Sequence, residues 1–364
     1  NAIPGFQSLD LDLAGRVDRY SDVGSTTNPK IGINWEPTND VKLHGSYGTS
    51  FRAPLLTNLV SASGSQLFIQ NYFDPTANGG AGATVQGVAL SGGNLGLNPE
   101  TARTWSGGVE YNPAWLPGAQ FSVNYFDVVY RGQIVSYLSN LNLLRLESLF
   151  GSIITRGAAA QTRVADLVTQ GLRVNGGSVA QAQAATVFID GRTNNLGTTI
   201  TRGIDFGLSA PFTIDALGDF RFSIRGTRFF TYKVALTPGG VINEQVNNLD
   251  YPLKFKARAG LTFQNGPFSL NSYVNYANGY TNTLTSPTTR IAANTTVDLS
   301  MSYDLGDVLP LARQFRLGVN VVNLFDRDPP FADIAPTNNG GGGFDPTNAS
   351  PVGRIMSVSL RSKF

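Results

Sequence analysis

The chain has 364 residues, 27 Lys and Arg against 25 Asp and Glu, one His and no Cys. Without Cys there is neither a disulfide framework nor a thiolate metal site, and a lone His44 excludes a His-rich one. A net charge of +2 supplies no field for nucleic acid, and 41 Gly with 13 Tyr and 22 Phe suits many strands and many turns.

Strand-like alternation begins at once. In SLDLDLAGRVDRY, Leu9, Leu11, Leu13 and Val17 share one face, opposite Asp10, Asp12, Arg16 and Asp18. Ile31, Ile33 and Trp35 then oppose Lys30, Asn34 and Glu36, and Val41, Leu43 and Tyr47 oppose Lys42, His44 and Ser46. The pattern recurs at TWSGGVEY (Trp105, Val109, Tyr111), QFSVNYFD (Phe121, Val123, Tyr125) and ITRGIDFGLS (Ile204, Phe206, Leu208). It continues through FRFSIRG, LKFKARAGLTF, FSLNSYVNY, TVDLSMSY and QFRLGVNV to the closing RIMSVSLRSKF. There Met356, Val358, Leu360 and Phe364 lie on one face with Ser362, and Ser357, Ser359, Arg361 and Lys363 lie on the other. About twelve strands result, each near the ~9–11 residues that cross a bilayer at a tilt.

The connections alternate in length. Short ones fall near 36–40, 112–118, 211–219, 264–267 and 304–313; very long ones fall near 51–100, 131–198 and 325–351. Only 21–28 is short on the long side. No apolar run reaches the ~18 residues of a membrane-spanning helix, a test that a transmembrane barrel also passes because its strands dilute the signal. An antiparallel up-and-down transmembrane β-barrel is therefore expected. Its apolar faces meet lipid, its polar faces meet the lumen, and Trp35, Tyr111 and Phe364 fall at the periplasmic ends. No blade period suggests a propeller.

Several blocks carry a family resemblance. STTNPKIGINWEPTNDVKLHGSYGTSFRAPLL, LNPETARTWSGGVEY, FIDGRTNNLGTTITRGIDF, NLFDRDPP and NASPVGRIMSVSLRSKF stand in order along nearly the whole chain. Together they resemble TonB-dependent outer-membrane receptors; Ser362 departs from the pattern, standing where outer-membrane proteins often place an aromatic. The resemblance implies a ligand-gated active transporter in the bacterial outer membrane, not an enzyme, with a barrel of about 22 strands and a plug in the lumen. Residues 1–364 would then be the C-terminal part of that barrel, with the plug, the TonB-contacting segment and the early strands lying outside this fragment or processed chain. Implied partners are a small-molecule ligand, outer-membrane lipid, the TonB complex through the absent N-terminal part, and the barrel-assembly machinery, which would read Met356, Val358, Leu360 and Phe364. A monomer without cofactor is expected. A ferric siderophore is the leading ligand class, with cobalamin or an oligosaccharide as alternatives. The competing reading is a self-contained twelve-stranded porin or phospholipase-type barrel.

Binding residues are expected on external loops and the inner wall. Phe68, Asn71, Tyr72 and Phe73 combine stacking and hydrogen-bonding groups. Packing of their loop on itself competes with that role. LLRLESLF and TRVADLVTQ favour helix and suit either a lid or simple loop packing. Alternation aims Arg221 and Arg225 of one strand, and Lys254, Lys256 and Arg258 of the next, toward the lumen. Such like charges need an anion, an acidic plug or water beside them. NNGGGGFDP and NGGAGATVQG lack the residues of phosphate or dinucleotide motifs. A catalytic His44 would need an activated Ser at the lipid face, whereas alternation turns it inward.

Overall fold

The computed structural model describes residues 5–21, 24–60, 64–141, 143–236, 241–306, 313–334 and 342–363. Twelve antiparallel strands follow one another in simple up-and-down order. They are β1 (Ser8–Tyr20), β2 (Gly24–Glu36), β3 (Val41–Arg52), β4 (Glu100–Tyr111), β5 (Gln120–Val135) and β6 (Asn194–Ile214). Then come β7 (Gly218–Ala235), β8 (Phe255–Asn265), β9 (Phe268–Ala277), β10 (Asn294–Gly306), β11 (Arg313–Val322) and β12 (Ile355–Lys363). Among the described residues the outer edges of β1 and β12 pair with nothing, so the sheet is an arc of a barrel rather than a closed twelve-stranded one. β6 and β7 exceed the expected strand length, at 21 and 18 residues.

Register carries the alternation across the wall. Leu9, Trp35, Leu43, Val109 and Val123 stand in one cross-strand row, and Leu11, Ile33, Gly45, Gly107 and Tyr125 in the next. These rows face outward, and among the described residues nothing covers them. Leu13 is 69% exposed and Val358 73%. A water-soluble sheet would bury such a face under a second layer, whereas here the three clusters of buried apolar residues all lie at the end of the long connections. No helix among the described residues is long and apolar enough to cross a membrane.

Aromatic rings gather at the short-turn end: Phe6 with Trp35, Tyr111 with Phe121, and the run Phe212, Phe220, Phe263 and Phe268, at centroid distances of 4.8–6.0 Å. This places Trp35 and Tyr111 as expected; Phe364 and the connection 307–312 lie outside the described residues.

The described parts of the first two long connections are not loose loops. Segments 53–99 and 136–193 fold together into a five-stranded sheet, ordered Ile154–Arg156, Val187–Asp190, Ala83–Ser91, Gln66–Asp74 and Arg173–Asn175. A helix α1 (Gly157–Thr169) packs on it through Ala160, Val164 and Leu167. The helix-favouring pieces thus pack the external domain. Asp74 anchors that domain: Arg156 reaches it at 2.6 Å and Glu147 at 2.7 Å, and the guanidinium, aided by Thr76, holds the Asp74 carboxyl down at about 2. A smaller body joins 241–254, 278–293 and 323–334 around Leu249, Leu253, Tyr280, Ile291 and Ala332.

Candidate functional site

Alternation and register together build the concave face. β7 and β8 pair so that Arg225 stands directly opposite Arg258, Thr227 opposite Lys256, and Arg221 opposite Thr262. Three of the expected cations, Arg225, Lys256 and Arg258, line one concave space of about 1020 Å³ with Ser122, Asn124 and Asp205. Segment 348–353, returning from the connection before β12, borders the same space.

The like charges are separated by their partners. Arg258 lies over the Tyr273 ring at 4.1 Å and pairs with Asp298 at 3.5 Å. Lys256 donates to Asn348 Oδ1 at 3.1 Å, and Arg221 donates to Ser209 Oγ at 3.1 Å. The Arg225 side chain has no hydrogen-bond or ion-pair partner among the described residues, and neither has that of Arg327 on the same lining, so both are free positive groups of the space. Arg221 lies apart, in a smaller depression of about 310 Å³ with Phe212 and Gln264. Lys254 lies before the first residue of β8; its backbone carbonyl accepts from Phe229 and its N–H donates to Asn247 Oδ1.

Asp205 and Asp298 balance the cations. Asp205 accepts the Thr227 hydroxyl at 2.6 Å, and Asp298 accepts Asn275 Nδ2 at 2.9 Å and the Asn323 N–H at 3.1 Å. Alternation with Ile204 points to Asp205 from sequence alone. Asn348 carries no such signal, since a long connection brings it over β8.

The aromatic set of the first long connection divides. Tyr72 has no exposed surface; it packs with Leu143, Phe150 and Ile189, and its hydroxyl donates to Gln70 at 2.6 Å. It belongs to the external domain's core, and this corrects its expected place on a contact surface: the strand Gln66–Asp74 turns alternate residues inward. Asn71 is exposed, Phe68 half-buried, and Phe73 half-buried beneath Arg145, whose guanidinium sits 4.0 Å from the ring centroid. His44 faces the concave side, where its Nε2 lies 3.1 Å from Asn124 Oδ1.

A family model described as "TonB dependent receptor-like, beta-barrel" matches residues 5–324. Solved structures share the fold. A mutant ferric enterobactin receptor (PfeA) of Pseudomonas aeruginosa, in complex with enterobactin, is 19% identical with a TM-score of 0.64, over 98% of this chain and 43% of that one. The siderophore receptor PirA of Acinetobacter baumannii is 16% identical with a TM-score of 0.61, over 98% and 44%. The outer membrane transporter YddB of Escherichia coli is 11% identical with a TM-score of 0.56, over 97% and 43%. The chain therefore spans less than half the length of each. With the family model matching most of its length, and a wall of twelve strands apolar outside and polar within, the chain belongs to the β-barrel family of TonB-dependent receptors.

Proposed function

We propose that the chain is wall and external surface of an outer-membrane receptor that imports an anionic iron chelate of the siderophore class, using energy supplied through TonB. The observation that carries this is Arg225, unpartnered beside Lys256 and Arg258 in a concave space bordered by an external segment. A positive group held at a low-dielectric wall draws an anion along it and keeps much of its charge for the ligand. Enterobactin held by a structural neighbour supports the ligand class.

The wall, Arg225 included, acts by attraction and orientation, while gating and coupling belong to the plug and the TonB-contacting segment outside this chain. The binding contribution of Phe68, Asn71 and Phe73 is a rim contact from the external domain. The receptor works as a monomer and is assembled through recognition of the strand bearing Met356, Val358, Leu360 and Phe364.

The test is uptake of a ferric catecholate in cells carrying the full-length receptor with Arg225→Gln and Lys256→Gln. Slower uptake, with a defect that shrinks as salt screens the charges, is expected. Unchanged uptake at low ionic strength, with normal receptor levels, would assign these cations to plug contact.

A further inference from the structure

The outward face is mostly apolar; apart from Arg19 on β1 and Lys233 near the end of β7, its cations gather in one place. On β4 to β7, register turns Arg103, Arg131, Arg202 and Arg228 to the same side as Trp105, Tyr125, Ile204 and Phe255. Each arginine is exposed. Each comes from a different strand, and the four strands are consecutive in the sheet.

Their heights agree. Arg103 stands eight residues above Tyr111 on β4, Arg131 ten above Phe121 on β5, Arg202 ten before Phe212 on β6, and Arg228 eight after Phe220 on β7. Those four aromatics belong to the ring-lined short-turn end. At about 3.3 Å per residue and a tilt near 40°, eight to ten residues climb about 20–25 Å. The apolar band of an outer-membrane barrel is about 25 Å tall, so the four guanidiniums lie at its upper boundary. Trp105, 53% exposed, marks that boundary just below them.

Their charge is mostly unspent. Arg202 pairs with Asp127 at 2.9 Å, and Arg228 stands 6.0 Å from the Phe230 ring centroid. Arg103 and Arg131 have no hydrogen-bond or ion-pair partner among the described residues. Asp127 is the carboxylate on this patch, leaving an excess of about three positive charges across neighbouring strands ~4.8 Å apart.

We propose that β4–β7 carry an outward-facing site for a multiply phosphorylated lipid headgroup in the leaflet on the long-connection side. Arginine forks match phosphate oxygens, and at the rim of the apolar band the lipid's own chains lie against Tyr125, Ile204 and Phe206 while its phosphates reach the guanidiniums. The complementarity is of charge and of depth together. The inference rests on the outward face meeting lipid and is independent of which nutrient is imported.

The experiment uses the full-length receptor, solubilised and exchanged into nanodiscs of phosphatidylethanolamine doped with a bis-phosphorylated lipid A. Native mass spectrometry then counts retained lipids of each kind. Retention of the phosphorylated lipid in preference to phosphatidylethanolamine is expected. It should fall tenfold or more, on the order of what four surface cations contribute, in a variant with all four arginines changed to Gln. Arg103→Gln with Arg131→Gln, which breaks no hydrogen bond or ion pair among the described residues, should give an intermediate loss in a normally assembled barrel. Lys30→Gln with Lys42→Gln, on the concave side, should change nothing. Equal retention of both lipids by the wild type, or unchanged preference in the arginine variants, would overturn the site. A receptor that failed to enter membranes at all would instead sink the membrane reading beneath it.

Discussion

Tyr130 donates its hydroxyl to Glu100 Oε2 at 2.6 Å, binding the top of β5 to a carboxylate that has no exposed surface. The Ile134 N–H reaches Glu100 Oε1 at 2.6 Å, and Arg52, at the top of β3, pairs with Oε2. Three strands are thus tied where both connections of the external domain leave the wall. Tyr130→Phe should cost about 1–3 kcal/mol, because a buried carboxylate loses one of its donors. Thermal unfolding of the full-length receptor measures this, and wild-type stability in the variant would assign the clamp no energetic role.

The external domain should weaken in acid. Asp74 has a folded value of about 2 against an ordinary 3.8, chiefly through its hydrogen bonds from Arg156. A depressed carboxyl contributes stability that is complete above the ordinary value and is lost as pH falls through the folded one. The domain should therefore lose on the order of 2 kcal/mol between about pH 4 and pH 2. Hydrogen exchange of Leu67–Tyr72, corrected for intrinsic rates, reports it. In Asp74→Asn most of that loss should already be present at neutral pH, leaving a flatter profile.

Gly108 is required by two neighbours at once. A Cβ there would lie 2.6 Å from the Val123 carbonyl oxygen and 2.7 Å from His44 Nε2. The ring can swing aside, but the carbonyl belongs to the β4–β5 ladder and cannot. Gly108→Ala should destabilise by about 1–3 kcal/mol, and combining it with His44→Ala should restore only part. Gly15→Ala, which meets nothing within 4 Å, is the matched control. Equal unfolding temperatures for the two alanine variants would refute the steric account.

Leu360 lies opposite Leu317 on the outward face and is 64% exposed. Leu360→Arg should cost up to about 2–4 kcal/mol, the lower end applying if the site lies near the rim. Ser357→Arg, on the opposite face of the same strand, should be close to neutral. Receptor levels in isolated outer membranes separate the two, and equal levels would argue against lipid at Leu360.

Alternation alone determined most of the wall, because a strand's period of two converts sequence parity directly into inside and outside. It placed the twelve strands, the inward His44, Arg225, Lys256 and Arg258, and the outward Leu360, and loop lengths placed all long connections at one end. Tertiary structure decided everything that depends on which strand stands beside which, and at what height. Tyr72 looked like a surface aromatic until segments 53–99 and 136–193 paired into one sheet around it. The inward cations looked mutually repelling until Asp298, Tyr273 and Asn348 arrived from β10, β9 and the last long connection. Arg103, Arg131, Arg202 and Arg228 lie 26 to 125 residues apart along the chain. Only strand pairing and a common climb from the aromatic end bring them to one level, since sequence separation carries no information about register between strands joined by long connections.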